Sequence, residues 1–530
     1  MTHWWSVMLG VLLAVPCMDA RAQAPSKLDT LLEQLAPNHA VKERRAAVQE
    51  LRRLILDGKV QDRQNDVARA LLGAVADDND ELSRDAVDGL AWLGEPALEP
   101  MLDILRHNHK HGRSDVAGEL GSRMHMHPKL ANTISRKATP VLAQFINDPE
   151  PALKRNAIAS LAWMGPVAIP HLVKVLADPK FGATAAQGIA RHGAKGVKDL
   201  VRSLDGDNFL TRYYACDALR RIGAPAKGAV APLTRLLTDK DPRLRQGAAS
   251  ALGAIGPEAR AAVPALIRLA AREQDCAAAL FALSAIRLTQ HQVPDLLAGL
   301  PAVKTEAVLY HAADALATAG ATGVPELVKV LKDKRRPVRK SAVLALIKLG
   351  PQAANAEPVL NELLADKDMR LHAVDALLAL GASAKRAIPL LVKDLETDGR
   401  TQLLRTAEYR HDSPAAARLG KIGTDALPAL LDGLETDRQL VRLGSLVALG
   451  MNGAKAKTAL PKISRLLATT GDAMEREIAV GVFRQIDRVA LDKMLKDAGL
   501  RVPENQHWSP RAIAPLAARA ARKALENHRH

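Results

Sequence analysis

Over residues 28–490 the chain alternates short apolar faces at helical spacing with turns marked by glycine and proline. Its clearest unit runs from Asp239 to Ala270. Asp241 is placed to cap a first helix, and Pro242 fits the opening turn, where a missing N–H costs nothing. Leu244, Ala248, Ala251, Leu252 and Ile255 then recur on one helical face. Gly256 supplies a left-handed closing residue and Pro257 prevents continuation. Pro264 opens a second apolar run of Ala265, Leu266, Ile267 and Leu269. Neither helix buries such a face alone, so the units have to stack.

Prolines and glycines track the unit along the chain. Second helices are expected to open at Pro100, Pro140, Pro170, Pro232, Pro264, Pro294, Pro325, Pro358, Pro389, Pro428 and Pro461, most of them 30 to 33 residues apart. First helices are expected to end at Gly94, Gly165, Gly193, Gly223, Gly256, Gly320, Gly350, Gly381, Gly423 and Gly453. The unit around Cys276 has Arg287-Leu288 where the glycine would stand. Two steps are long, Pro100 to Pro140 and Pro389 to Pro428, and insertions in stacked repeats are where special function tends to sit. Residues 23–58 read as a capping hairpin whose charged side chains, Lys42, Glu43, Arg44, Arg45, Arg52 and Arg53, face water. Residues 59–490 form the repeat array, with longer repeats near 101–140 and 396–420. Residues 491–530 form a loop and a capping helix. On that helix Ile513, Leu516, Ala517 and Ala520 turn inward, and Arg511, Arg519, Arg522 and Lys523 turn outward.

Composition supports an elongated all-α solenoid over a compact core: 48% of the residues are hydrophobic but only 3% aromatic. Residues 1–22 stand apart. Val7 to Val15 is a short apolar run and Ala20-Arg21-Ala22 is a small-x-small cleavage site, so the expectation is a signal peptide and an exported protein, periplasmic or secreted. The run is too short to span a membrane, and Pro16 before Cys17 does not resemble a lipobox. Cleavage removes Asp19 and Arg21, which leaves the formal charge at +16. Cys216 and Cys276 lie about two repeats apart, too far for a disulfide, and are expected as buried small hydrophobes.

The units DPEPALKRNAIASLAWMG, DPRLRQGAASALGAIG and KRRPVRKSAVLALIKLG resemble HEAT repeats, particularly the subtype first noted in phycobilisome lyases. The resemblance implies a right-handed α-solenoid (superhelix) of helical hairpins. Arg212, Arg245, Arg339, Arg370 and Arg442 each stand eleven residues before a closing glycine. In HEAT-like repeats the corresponding arginine, with an Asp in the preceding turn, ties one repeat to the next. Asp207, Asp241, Asp333, Asp368 and Asp437 are available for that.

Catalytic signatures are missing. No two glycines are spaced G-x-G, and there is no GK[ST], G-x-S-x-G, HExxH or CxxC. HEAT-like deoxyhypusine hydroxylases hold iron with His-Glu pairs, but none of the sixteen histidines here precedes Glu. One metal candidate remains: His107, His109, His111, His125 and His127 fall within the first long step, and imidazole suits a divalent transition metal. No other cofactor is expected.

Charge is the second lead. Four residues after a helix-opening proline stand Lys174, Arg268, Lys329, Lys393 and Arg465, on second helices that line the concave surface in HEAT-like solenoids. The row breaks at Glu362 and Asp432. It fits an acidic protein, an anionic glycan or lipid headgroups better than nucleic acid, for which stacking aromatics are too few. The expected function is a non-catalytic, monomeric scaffold for protein partners with a partly basic binding face. The alternative is a metal-binding or enzymatic lyase- or hydroxylase-related protein using residues 107–127.

Overall fold

The computed structural model describes residues 26–107, 112–300, 306–397, 413–500 and 510–527, without the side chains of 123–126. Every regular element among them is a helix. The protein is an all-α solenoid of helical hairpins, in two compact units, one ending at Ile222 and one beginning at Gly223. Among the described residues no helix is long and apolar enough to cross a membrane. The proposed signal peptide, 1–22, lies outside the described residues.

The Asp239–Ala270 unit shows how each hairpin forms. Asp241 accepts a hydrogen bond from the Arg243 N–H at 2.8 Å and starts the helix Pro242–Ile255. Gly256 ends it at φ 74°, a conformation that costs glycine nothing and most residues a great deal. A 3-10 turn, Gly256–Ala262, then leads into the short second helix Val263–Ala270. Small residues let the first helices of neighbouring repeats close up. A Cβ on Gly188 would stand 2.6 Å from the Cβ of Ala162, so that contact tolerates no side chain. This close approach is why the chain needs so few aromatic residues.

Second helices begin at Gln64, Leu98, Ala131, Ile169 and Val197 in the first unit. In the second unit they begin at Val230, Val263, Val293, Val324, Glu357, Ile388, Leu427 and Leu460. Their fourth residue forms the spine of the core: Leu172 and Leu200 in one unit, and Leu233, Leu266, Leu296, Leu327, Leu360, Leu391 and Leu430 in the other, are all 0% exposed.

Three features differ from the expected pattern. Pro140 does not open a helix. It lies inside Ala131–Leu142, whose start comes from the turn Pro128–Leu130, so proline spacing misplaces this repeat. Counted by helix starts, Leu98 to Ala131 is 33 residues and Ala131 to Ile169 is 38, and the extra length lies in the longer second helix. Arg44 does not face water: it is 4% exposed, donates to the Leu35 carbonyl at 3.2 Å and pairs with Asp77. A guanidinium that reaches the next repeat is more useful inside than outside. Gly165 keeps a negative φ of −62°, whereas Arg287, standing where glycine is missing, takes φ 71°.

Arg287 is held there because Leu288 behind it is buried, and the Leu288 N–H donates to Thr318 Oγ1 at 2.8 Å. A residue with a Cβ in this region is strained by about 1–3 kcal/mol. Arg287→Gly, which relieves that strain but loosens the unfolded chain, is expected to stabilise the protein by about 1 kcal/mol. A chemical-denaturation midpoint equal to or below that of the unsubstituted protein would contradict it.

At the C-terminus the helix Pro510–Asn527 packs on the last repeat through Ile513, Ala514, Ala517, Ala518, Ala520 and Ala521, with Leu516 half-buried. Arg511, Arg519, Arg522 and Lys523 are exposed, and Arg522 Nε caps the Ala468 carbonyl at 2.9 Å. Cys216 and Cys276 are buried and form no disulfide, and burial pushes the Cys276 thiol up to about 11.

Candidate binding face

The five arginines of the sequence ladder have local backbone and inter-repeat partners. Arg245 Nε meets Asp275 of the next repeat at 2.7 Å, while its Nη1 donates to the carbonyls of Asp239 and Lys240. Arg339 reaches Asp366, Arg370 reaches Asp394, and Arg442 reaches Glu475. Arg212 donates to the Leu204 carbonyl at 3.2 Å. The acid is therefore not the Asp of the preceding turn, as expected. That turn contributes its carbonyls; for Arg245, Arg339 and Arg442 the carboxylate comes from the following repeat and bridges two layers, whereas Arg370 takes Asp394 from the second helix of its own hairpin. Lys154 Nζ, also eleven residues before a glycine, likewise reaches the following repeat, at Asp178, 2.7 Å away.

The second-helix register changes the basic row. Each member of the row is the sixth residue of its helix, two positions after the buried spine residue, which turns it away from the core onto the open face. Lys174, Arg268, Lys329, Lys393 and Arg465 all hold this place and are exposed. So are Arg69, Arg136, Arg202 and Arg235, which proline spacing missed. The helices of Arg69 and Arg202 lack the proline, Pro232 sits one residue late, and Pro140 belongs elsewhere. The signal present throughout is a large apolar residue followed two positions later by a base, as in Leu233-Thr234-Arg235.

The remaining places are Asp103, Ala298, Glu362 and Asp432, so nine of the thirteen are basic. Each acid has a basic neighbour: Asp103 meets Arg106 at 3.1 Å, Glu362 meets Lys332 at 2.9 Å and Asp432 meets Lys462 at 4.0 Å. Some bases are likewise paired: Arg69 with Asp66, Arg202 with Asp199 and Lys329 with Glu326, all at i,i+3. Lys174, Arg268 and Lys393 have no ion pair among the described residues. His171, beside Lys174, is pushed below its ordinary value by burial and then by that charge, so it stays neutral at pH 7 and adds nothing to the row.

Arg465 borders an open cleft of about 540 Å³ with Arg442, Lys462, Thr469 and Thr470. Its floor is Glu475, 0% exposed, which accepts from Arg442 at 2.7 and 3.2 Å and from the Thr470 hydroxyl. Lys462 and Arg465 share Glu435 at 2.9 and 3.7 Å. The cleft is thus internally compensated.

Of the histidine set, His109 and His111 lie outside the described residues, as does the side chain of His125. The two described rings use backbone carbonyls: His107 Nδ1 lies 3.1 Å from the Asp103 oxygen and His127 Nε2 lies 3.3 Å from that of Ala91. Among the described residues no three metal-ligating side chains converge.

Two aromatic side chains escaped the sequence reading. Trp92 and Trp163 each stand two residues before a closing glycine and are 43% and 40% exposed. The Arg191 guanidinium stacks on Trp163 at 3.4 Å from the ring centroid. Their shared LAW motif was the available signal.

A family model described as HEAT repeats matches residues 197–287. No curated protein matches the chain. Among solved structures, Kap121p bound to Nup53p is 12% identical, with 95% of this chain and 68% of that chain covered and a TM-score of 0.47. Importin beta crystallised in a polyethylene glycol condition is 14% identical, with 96% and 88% covered and a TM-score of 0.45. Yeast importin-beta (Kap95p) is 12% identical, with 94% and 84% covered and a TM-score of 0.39.

Proposed function

We propose that this protein is a non-catalytic HEAT-repeat binding module, its repeats of the phycobilisome-lyase subtype, that holds an acidic protein partner on the exposed face of its second helices. The carrying observation is the sixth place of those helices within each unit: four of five residues are basic in the first and five of eight in the second, and each acid is offset by a basic neighbour. Exposed charges on one face attract an opposite surface over roughly a Debye length and steer its approach. Because the spine residue two places earlier is buried, each base is anchored by its own helix and the row is pre-spaced before any partner arrives.

The low-aromatic, Ala- and Leu-rich stack leaves side chains of the open face free to vary without disturbing the core, as a recognition surface requires. We further propose that residues 1–22 are removed on export, on the strength of the apolar run Val7 to Val15 and the site before Gln23. One capture experiment tests both. The protein recovered from producing cells is expected to begin at Gln23. Partners captured on it are expected to elute between about 0.01 and about 0.15 M salt, as the Debye length falls from about 30 to about 8 Å. Partners that stay bound regardless of salt would contradict the electrostatic reading, and an intact Met1 would contradict export.

A further inference from the structure

The row carries information about the shape of its partner as well as its charge. In the second unit Arg235, Arg268, Ala298 and Lys329 occupy the sixth place of four successive second helices, Val230–Leu236, Val263–Ala270, Val293–Gly299 and Val324–Val330. Packed helices lie about 8–10 Å apart. An extended chain rises about 3.3 Å per residue, so it advances one helix in about three residues. A partner helix, rising about 1.5 Å per residue, would need about six.

The third helix breaks the run in an informative way. Its sixth place is Ala298, and its third place is the exposed Asp295. The helix after it has Glu326 at that third place, but there Lys329 pairs with it at 2.8 Å. Around Ala298 the sixth place carries no charge; the Arg335 guanidinium lies on the Ala298 carbonyl at 3.3 Å but is paired with Asp333, which leaves Asp295 as the exposed acid without an ion pair among the described residues. Arg268, exposed and without an ion pair among the described residues, is the strongest attractor. Lys329 holds only a surface pair, which is weak enough to be exchanged.

We propose that the partner contributes an extended segment with acidic residues at positions i, i+3 and i+9 and a basic or neutral residue at i+6, lying across these four helices. The acids meet Arg235, Arg268 and Lys329, and the residue at i+6 meets Asp295. This rests on the acidic-partner reading above and adds register and conformation to it.

Fluorescence anisotropy at low salt, with the full chain and labelled fourteen-residue peptides, tests it. A peptide with Asp at i, i+3 and i+9 and Lys at i+6 is expected to bind about ten-fold or more tighter than one of the same composition with its three acids adjacent. Arg268→Gln, an exposed change that leaves the circular dichroism spectrum intact, is expected to remove most of that difference. Asp295→Lys is expected to reverse the preference at i+6 in favour of Asp. Equal binding of the two peptides overturns the proposed register while leaving the acidic-partner reading in place. So does tighter binding of a peptide with acids six residues apart. If neither peptide binds even at low salt, both are overturned. A sulfated oligosaccharide that outcompetes peptides that bind alike would move the assignment to a glycan and also overturn the proposal.

Discussion

Arg245→Ala is expected to destabilise the protein by about 3–5 kcal/mol, a loss far beyond that from any exposed charge. Arg245 is 3% exposed and Asp275 is 0% exposed. Nε donates to the Asp275 carboxylate at 2.7 Å, and Nη1 donates to the carbonyls of Asp239 and Lys240 at 2.8 and 3.1 Å. Truncation leaves a buried carboxylate whose remaining side-chain donor among the described residues is Gln246 Nε2, at 3.4 Å, and two carbonyls without their donor. The cost comes from the partner left behind more than from the attraction lost. Replacing both groups, Arg245→Met with Asp275→Leu, is therefore expected to recover most of the stability, because two desolvated charges are removed together. Arg243→Ala serves as the comparison. Its pair with Asp241 is at the surface, with the Arg243 side chain 65% exposed, and its loss is expected to cost at most about 1 kcal/mol. Urea midpoints of the four proteins check the ordering. An Arg245→Ala protein within about 1 kcal/mol of the unsubstituted one would show that the bridge between these layers is dispensable.

Leu266→Ala is the second large effect, expected at about 2–5 kcal/mol. Leu266 is the fourth residue of its second helix and is 0% exposed, with Leu233 before it and Leu296 after it in the spine. Deleting its side chain removes contacts on both flanks and leaves a cavity the stack cannot collapse, because first helices already meet at Gly253 and Ala282, where an added Cβ would stand 3.0 Å from a Cα. Each repeat touches only its neighbours, so amide exchange is expected to accelerate first in Pro242–Ile255 and Val263–Ala270 and least in the helices near residue 490. Uniform acceleration along the second unit would argue instead for a single cooperative core.

Much of the architecture was readable from residue patterns because it rests on local chemistry. Asp241, Pro242 and Gly256 act within one helix, so a capping side chain, a first-turn proline and a positive-φ glycine announce the hairpin without knowledge of its neighbours. The partners of the buried arginines were not readable in this way. Asp275 lies 30 residues from Arg245, and which acid a guanidinium meets depends on how one layer docks on the next. Arg44 shows the same limit: its surroundings in sequence are charged and polar, yet the following repeat supplies Asp77 and closes over it.

The candidate face was only partly legible for a different reason. Proline marks where a second helix starts, but it can sit at the second place, as Pro264 does, at the third, as Pro232 does, or near the far end, as Pro140 does. Counting from it misplaces the open face by one residue at Pro232 and by more than two turns at Pro140. The buried spine residue is the better reference, since burial sets which direction every other side chain on the helix must point.

The sequence by itself determined the all-α stack of hairpins, the strong basic balance and the absence of catalytic motifs, because helical periodicity, capping and composition are properties of short stretches. Only the tertiary structure decided which acid bridges which repeats, that Arg69, Arg136, Arg202 and Arg235 join the basic row, and that Arg287 takes the strained closing turn. Those are consequences of docking one hairpin on the next, and docking depends on surfaces about thirty residues apart that no local pattern encodes.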